Sequence, residues 1–451
     1  MCSHRRFESA KEDELRPRKH ASVRAMRVVV IGGGPAGMMA AGRAAECGAD
    51  VLLLEKGPKL GRKLSISGKG RGNISNNAEL SAFIEAFAPK GKFLYGAFSR
   101  FFRDDLLDLL HEHGVETKTE RGGRVFPSSD RASDVTEALT RWLEQSGARV
   151  RLNTRARAVE LADGRVSGVG AYGGRMDANA VVIATGGASY PKTGATGDGY
   201  AIALDAGHSI VPPTPALSAL VTEEDWVPHL QGLSLRNVAA RLLVGPHDGS
   251  VIENPNKQAR EFGEMIFTHF GISGPIVLTI SRGVDALLKM GRVVVSIDLK
   301  PALSAEDLHA RLIRDFTTAR QFHNCLRDLL PRLMVDTFVS LVGIEAGKPA
   351  NSITAQERGR IVGLLKDFRV TIKGMAPLAE AIVTAGGIPT AEVDSRTMMS
   401  KIVPGLFFAG EVIDVDAKTG GFNLQAAFST GSVAGESAAE YVRCLATCHT
   451  P

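Results

Sequence analysis

Arg27 to Ile31 (RVVVI) is an unbroken apolar run after its first residue, the pattern of a strand buried on both faces as in a parallel sheet. It passes straight into Gly32-Gly33-Gly34-Pro35-Ala36-Gly37, and the small apolar positions from Pro35 predict a helix to about Gly48. A second apolar run, Asp50 to Leu54, predicts the next strand and ends at Glu55. Farther on, Val150 to Leu161, Arg165 to Ala171 and Met176 to Ala180 read as short strands joined by turns at Ala162-Asp163-Gly164 and Tyr172-Gly173-Gly174, a meander. It leads into Ala180-Val181-Val182-Ile183, a buried strand that ends in Ala184-Thr185-Gly186-Gly187. Pro212, Pro213 and Pro215 mark an exit from this pattern near Gly207. Strand-like alternation then occupies Leu217 to Val244, and helical stretches follow at Ser304 to Phe316 and Leu326 to Val342. A last buried strand at Leu406-Phe407-Phe408 delivers Gly410-Glu411-Val412-Ile413-Asp414 to the same end of a sheet, and Gly420-Gly421 opens a terminal helix.

The first glycine turn has the chemistry of a phosphate cradle. Gly32 permits the tight turn, Gly34 lets the backbone approach a pyrophosphate, and Gly37 lets the helix pack close against the strand. Free N–H groups and the positive dipole end at Pro35 and Ala36 then favour an anion. Glu55 lies 18 residues beyond Gly37, where an acid accepts hydrogen bonds from an adenosine ribose and argues against a 2′-phosphate. Strand, turn, helix, strand and acid in that order mark a dinucleotide site.

That fingerprint does not separate FAD from NAD, but the next stretch favours FAD. Where a hydride-transfer dehydrogenase would return to its next parallel strand, Lys56 to Asn76 is a loop rich in glycine, serine and cations. Its glycines alternate with Arg71 and Asn73, which suits backbone donors packed on a ring or phosphate. The far helix start at Gly420-Gly421 would stabilise an anionic reduced flavin ring. One flavin held between the two ends of the chain is therefore expected.

Composition narrows the class. At 451 residues two or three domains are expected, and 44% hydrophobic with 23% charged residues excludes disorder of the whole. Cys2, Cys47, Cys325, Cys444 and Cys448 show no CxxC spacing, so neither zinc nor a redox disulfide is signalled; no metal is expected and a reducing cytoplasm fits. No apolar stretch reaches the roughly 20 residues of a membrane helix. Met1 to Ala25 mixes charges of both signs without an apolar core, which predicts a disordered leader over 1–25. A net charge of +5 permits an anionic partner, nucleic acid included.

Six blocks resemble the BaiN/RdsA (YhiN-type) family of FAD-dependent NAD(P)H oxidoreductases. They are Gly61 to Asn76, Gly122 to Pro127, Ala184 to Tyr200, Ile266 to Pro275, Thr384 to Ile388 and Pro404 to Gly431, within a likeness running from about Arg27 to Tyr441. The resemblance implies an α/β fold, with a Rossmann-like FAD-binding domain of the glutathione-reductase type interrupted by an insert domain of mixed β-barrel and helices. The expected parts are 26–206 and 369–445 for the FAD-binding domain and 207–368 for the insert, which would bind substrate. Besides Gly32, Gly34, Pro35, Ala36, Gly37 and Glu55, the cofactor positions are Lys56, Lys63, Gly68, Arg71, Gly72, Asn73, Val159, Ala184, Thr185, Gly186 and Gly187. From the C-terminal segment come Gly410, Glu411, Asp414, Gly421, Phe422, Asn423 and Leu424.

Members reduce steroid enones or a uridine of large-subunit ribosomal RNA. The implied reaction is reduction of an activated C=C bond in a small molecule or ribosomal RNA, and the basic balance tilts toward RNA. No second GxGxxG unit occurs, so NADH or NADPH is expected as a transient reductant. Lys192, His269 and Lys418 are the candidate proton donors. One departure stands out: relatives commonly carry Gly-Gly-Gly-Arg-Cys-Asn where this chain has glycine at Gly72. An amine or hydroxy-compound oxidase on the same FAD, and a non-catalytic flavin- or RNA-binding protein, are the alternatives. Oligomeric state is not encoded legibly.

Overall fold

The computed structural model describes residues 27–246, 252–253 and 260–448; the leader expected over 1–25 lies outside them. Five strands form a parallel sheet: β1 (Arg27–Ile31), β2 (Asp50–Leu54), β3 (Arg149–Arg151), β4 (Ala180–Ile183) and β5 (Leu406–Phe408). Their spatial order is β5-β4-β1-β2-β3. β1 is central because Val28, Val29 and Val30 are apolar on both faces and fully buried. β5 arrives from the far end of the chain and pairs with β4 from Val181↔Leu406 to Ile183↔Phe408. The carboxyl ends of β1, β2, β4 and β5 therefore share one edge, the usual ligand edge of an open α/β sheet.

Helix α1 (Pro35–Glu46) follows β1, and helix α2 (Phe422–Cys448) crosses it closely. At Gly431 and Gly435 a Cβ would overlap the carbonyls of Ala36 and Ala40, so small residues on both helices let the backbones touch. Ala36 lies opposite Gly431, so the start of α2 runs on past the start of α1. The strand expected over Val150 to Leu161 is two strands: at Asn153 a left-handed backbone (φ 53) turns the chain out of β3 into the meander Ala156–Ala162, Arg165–Ala171 and Gly174–Asp177.

A second core belongs to an antiparallel barrel. Strands Leu220–Thr222, Ser234–Gly245, Arg260–Phe267, Gly271–Ser273, Arg292–Asp298 and Phe368–Met375 form a row that closes where Ser234–Gly245 pairs with Arg292–Asp298. Helices Ala305–Asp315, Phe322–Leu326, Arg332–Val342 and Ala355–Lys366 pack with it, burying Phe322, Phe338 and Phe368. The part boundary expected at 368/369 differs from this arrangement. Phe368, Val370 and Ile372 alternate toward the core of the barrel, so its last strand runs to Met375. Val211–Ala216 and Val383–Gly387 pair antiparallel as the neck between the two cores. No helix among the described residues is long and apolar enough to cross a membrane.

Candidate functional site

A cavity of about 700 Å3 runs along the carboxyl edge of the parallel sheet, within the roughly 300–1,000 Å3 of small-molecule and cofactor sites. Gly32, Gly34, Pro35 and Ala36 line one end. Gly32 has φ +108, and a Cβ there would lie 2.5 Å from the Ala184 carbonyl oxygen, so only glycine brings the backbone this close to β4. α1 starts on Pro35 without a side-chain cap, which leaves its first N–H groups facing the cavity end. The Glu55 carboxylate is fixed by the N–H groups of Gly33 (2.7 Å) and Gly57 (2.6 Å). Beside it, the Lys56 ammonium donates to Thr196 (2.5 Å) and Asp198 (2.9 Å), and Arg155 clasps the same carboxylate at 3.0 and 3.1 Å. Burial alone would raise the Asp198 carboxyl, but these hydrogen bonds hold it below the usual range.

The other end is assembled from distant segments. Glu411, Gly421, Asn423 and Leu424 line it, whereas Gly410 sits at the first end, where a Cβ would lie 2.8 Å from the Ala36 Cβ. Glu411 accepts from the Lys63 ammonium at 2.7 and 3.0 Å, from the Thr384 N–H at 2.8 Å and from the Ser189 hydroxyl at 3.2 Å. Gly421 has φ +98 and sits under the strand Ser75–Asn76, where a Cβ would overlap the Ser75 carbonyl. With its amide oriented to satisfy both ends, Asn73 accepts from the Gly421 N–H and donates to the Ser75 carbonyl, each at 3.2 Å. Asn76 donates to the Gly420 carbonyl at 2.9 Å, and the Ser75 hydroxyl donates to Gln425 at 2.7 Å. These bonds strap the start of α2 to the loop after Glu55.

Several expected positions take other places. Lys63, Gly68, Ala184, Thr185 and Gly186 line the cavity. Gly37 lies behind it, pressed on the Gly32 carbonyl, and Gly187 packs against the Thr384 side chain. Arg71 is outside the wall: it pairs with Glu120 and Asp130 and lies 4.3 Å from the Phe126 ring centroid. Gly72 abuts Ala132, and Phe422 is buried against Phe83 with centroids 4.7 Å apart. Asp414 is buried, paired with Lys90 at 2.5 Å, and accepts from the Gly386 N–H at 3.2 Å. The Asn423 amide is engaged with the backbone of Ala417, accepting at 2.9 Å and donating at 3.0 Å. The cavity meets the meander at Thr154, Arg155 and Ala156, where the chain enters it, and not at Val159.

None of the three candidate proton donors forms the cavity wall. The Lys192 carbonyl accepts from Arg62 at 2.6 Å. His269 is exposed on a hairpin beside Phe270. Lys418 adjoins the wall residue Thr419, and its Nζ lies 5.7 Å from the Phe422 centroid. Burial raises the Glu261 carboxyl, and the charge of Lys418 offsets part of that rise. Phe87, Leu217, Ile382 and Val383 supply apolar wall with no motif to announce them; Val415 and the hydroxyl residue Ser67 also line it, from within matched blocks but not singled out. An uncapped helix start at Pro35, a glycine-built floor and an unpaired Ser67 hydroxyl fit an elongated dinucleotide with phosphates and polar ring edges.

Residues 26–437 match the protein family described as HI0933-like protein Rossmann domain. The chain is 31% identical over 423 residues to the 3-dehydro-bile acid delta(4,6)-reductase of Clostridium scindens, covering 92% of this chain and 99% of the relative. It is also 31% identical over 403 residues to the ribosomal RNA dihydrouridine synthase of Escherichia coli, covering 89% and 95%. The open conformation of a flavocytochrome c3 fumarate reductase shares the fold at TM-score 0.50 and 19% identity, over 92% of this chain and 78% of that one. With a parallel sheet, a glycine turn and a helix start arranged as described, and a match spanning nearly its whole length, the chain belongs to the HI0933-like family of Rossmann-domain proteins.

Proposed function

We propose that this FAD-dependent oxidoreductase reduces an electron-poor C=C bond, with a uridine of ribosomal RNA as the preferred substrate and NADH or NADPH as a transient reductant. The observation that carries the reading is the meeting of two helix starts, around Gly32–Ala36 and Gly420–Leu424, on one cavity. The activities named for the two relatives, a delta(4,6)-reductase and a dihydrouridine synthase, share one chemical act: hydrogen is added across a C=C bond. Bound FAD would supply the hydride for that act.

The chain's own residues do the rest. The start of α1 holds the pyrophosphate, Glu55 the ribose, and Arg155 with Ala156 the adenine edge. Gly420–Leu424 and the Lys63–Glu411 pair fix the ring end, and Phe87, Leu217, Ile382, Val383 and Val415 keep water from it. Lys418, next to the wall residue Thr419, is the group assigned to deliver a proton to substrate; Lys192, next to the wall residue Thr193, is the second candidate, and His269 is exposed on its hairpin. The described barrel pairings are all antiparallel, unlike a second dinucleotide fold, so the nicotinamide visits the same cavity and leaves. The parts 26–206 and 369–445 then form the cofactor domain around the barrel insert, with the re-entry moved past Met375. A cytoplasmic location belongs to this reading.

The net charge of +5 favours a polyanion, whereas the apolar wall around Leu217 and Ile382 favours an enone as the second substrate reading. Anaerobic protein bleached by NADH or NADPH should be reoxidised by an unmodified ribosomal RNA transcript, with dihydrouridine appearing in it. Reoxidation by a 3-oxo-Δ4 steroid alone would select the enone. Failure of both acceptors, with no change in ribosomal dihydrouridine in a deletion strain, would sink the C=C reading.

A further inference from the structure

Ser67 occupies a break in the loop after Glu55. The segment Leu64–Gly70 is two helical turns interrupted at Ser67, whose backbone is extended (φ −61, ψ 146), and at Gly68 and Lys69, both left-handed. Ser67 stands on the cavity wall, and its Oγ is buried without a hydrogen-bond partner in the protein. A buried donor left unpaired forfeits the hydrogen bond it would make in water, and the large majority of such groups in folded proteins are paired. The neighbouring polar groups are already committed: Asn73 to Gly421 and Ser75, Asn423 to Ala417, and Glu411 to Lys63, Ser189 and Thr384.

The position of Ser67 shows which end of the cavity it serves. A Cβ on the adjacent Gly68 would lie 3.0 Å from the Asn73 backbone nitrogen, and Asn73 in turn holds the first N–H of the α2 start. Ser67 thus belongs to the Gly421 end, away from the pyrophosphate end at Gly32–Ala36. We propose that the Ser67 hydroxyl donates to an acceptor on the flavin ring and raises the reduction potential of the bound cofactor. This rests on the FAD reading above. The physical reason is differential: a reduced ring is richer in electrons, so it accepts a hydrogen bond more strongly than the oxidised ring. A serine hydroxyl has one proton to give, and the surroundings of Ser67 leave that proton for the cavity.

The test uses the full chain with FAD bound, and reads the midpoint potential against a reference dye together with the visible spectrum. Ser67→Ala should keep its FAD but favour the reduced form about tenfold less, a fall of about 30 mV for a two-electron couple. Ser67→Thr, which keeps the hydroxyl, should stay near the parent value. An alanine variant with bound FAD, unchanged potential and unchanged spectrum would overturn the assignment and leave the FAD reading intact. A parent protein that refuses FAD would instead sink the FAD reading, and with it this one. Should the alanine variant misfold, Ser67→Thr and Ser67→Val have the same shape and carry the same comparison: unequal potentials support the hydroxyl, equal ones overturn it.

Discussion

The two helix starts that face the cavity do similar work with different support. The start of α1 is local: strand, glycine turn and helix follow one another, and Glu55 is one strand away. The start of α2 is assembled from far segments, with Asn76 and Ser75 reaching Gly420 and Gln425 across 344 and 350 residues of chain. A local cradle depends on its own backbone, whereas an assembled one depends on the loop that straps it. Substituting alanine at the critical glycine of each start tests the two in turn. Gly32→Ala and Gly421→Ala each place a Cβ against a carbonyl at a positive φ, and each should weaken FAD binding at least about a hundredfold, or roughly 2.7 kcal/mol. Both should also lower the melting temperature, Gly421→Ala by displacing Ser75–Asn76 and Gly32→Ala by displacing Ala184 at the end of β4. Flavin-fluorescence titration and thermal melting read both effects. A Gly421→Ala protein that binds FAD like the parent would remove the second start from the site.

The Lys63–Glu411 pair joins the two supports directly. Its side chains keep 25% and 20% of their exposure, so water screens part of the attraction and the expected cost of Lys63→Ala is about 1–2 kcal/mol, close to tenfold in FAD affinity. Glu411→Ala should match it, and the double variant should cost less than the sum. Additive losses would show that the two ends hold the cofactor independently.

The same contrast explains what the sequence made legible. β1, the turn and α1 could be read because apolar period, glycines and acid lie within about thirty residues, Arg27 to Glu55. β5 and the start of α2 were visible as elements, yet their straps were not, since Asn73 and Ser75 carry no spacing signal toward Gly421. Arg71 looked like a cofactor cation, but Glu120 and Asp130, acids with no marked relation to it in sequence, neutralise it. Val159 missed the cavity by one bend: Asn153 turns the chain so that Ala156 reaches the wall first. The expected boundary at 368/369 falls inside the last barrel strand, Phe368–Met375, because a barrel closed by non-local pairing leaves only a short alternation in sequence.

Acid should loosen the assembled side. His208 is fully buried in its side chain, with Nδ1 2.8 Å from Glu392 and Nε2 2.8 Å from the Ser400 hydroxyl, and its ring packs on Phe408 of β5. Burial holds the His208 imidazole below the ordinary value of 6.5, and the bond to Glu392 only partly counters it. The unfolded chain therefore takes up a proton at a pH where the folded protein does not. The stabilisation is present above 6.5 and is lost as pH falls below that value. Glu392 acts in the same direction at lower pH: burial would raise its carboxyl, but bonds from Ser209 and His208 hold it low. The melting temperature should fall between about pH 7 and pH 5, with a shallower fall in His208→Gln. An identical slope in that variant would exclude His208 as the cause.

The smallest effect on the cofactor is expected at Gly72, where the relatives in the resemblance commonly carry cysteine. Gly72 has φ +80, and a Cβ there would sit 3.0 Å from the Ala132 Cα and 3.4 Å from the Pro127 ring, on the side away from the cavity wall. Gly72→Cys should therefore destabilise the fold by about 1–3 kcal/mol, while FAD affinity stays within about twofold. Its thiol would face the first turn of the helix Ala132–Gln145 and leave the flavin spectrum unchanged. A new long-wavelength absorption band in this variant would mean that the thiol reaches the ring. The loop from Ser67 to Asn73 would then have to rotate as a unit, and the strap on the start of α2 would be looser than its hydrogen bonds indicate.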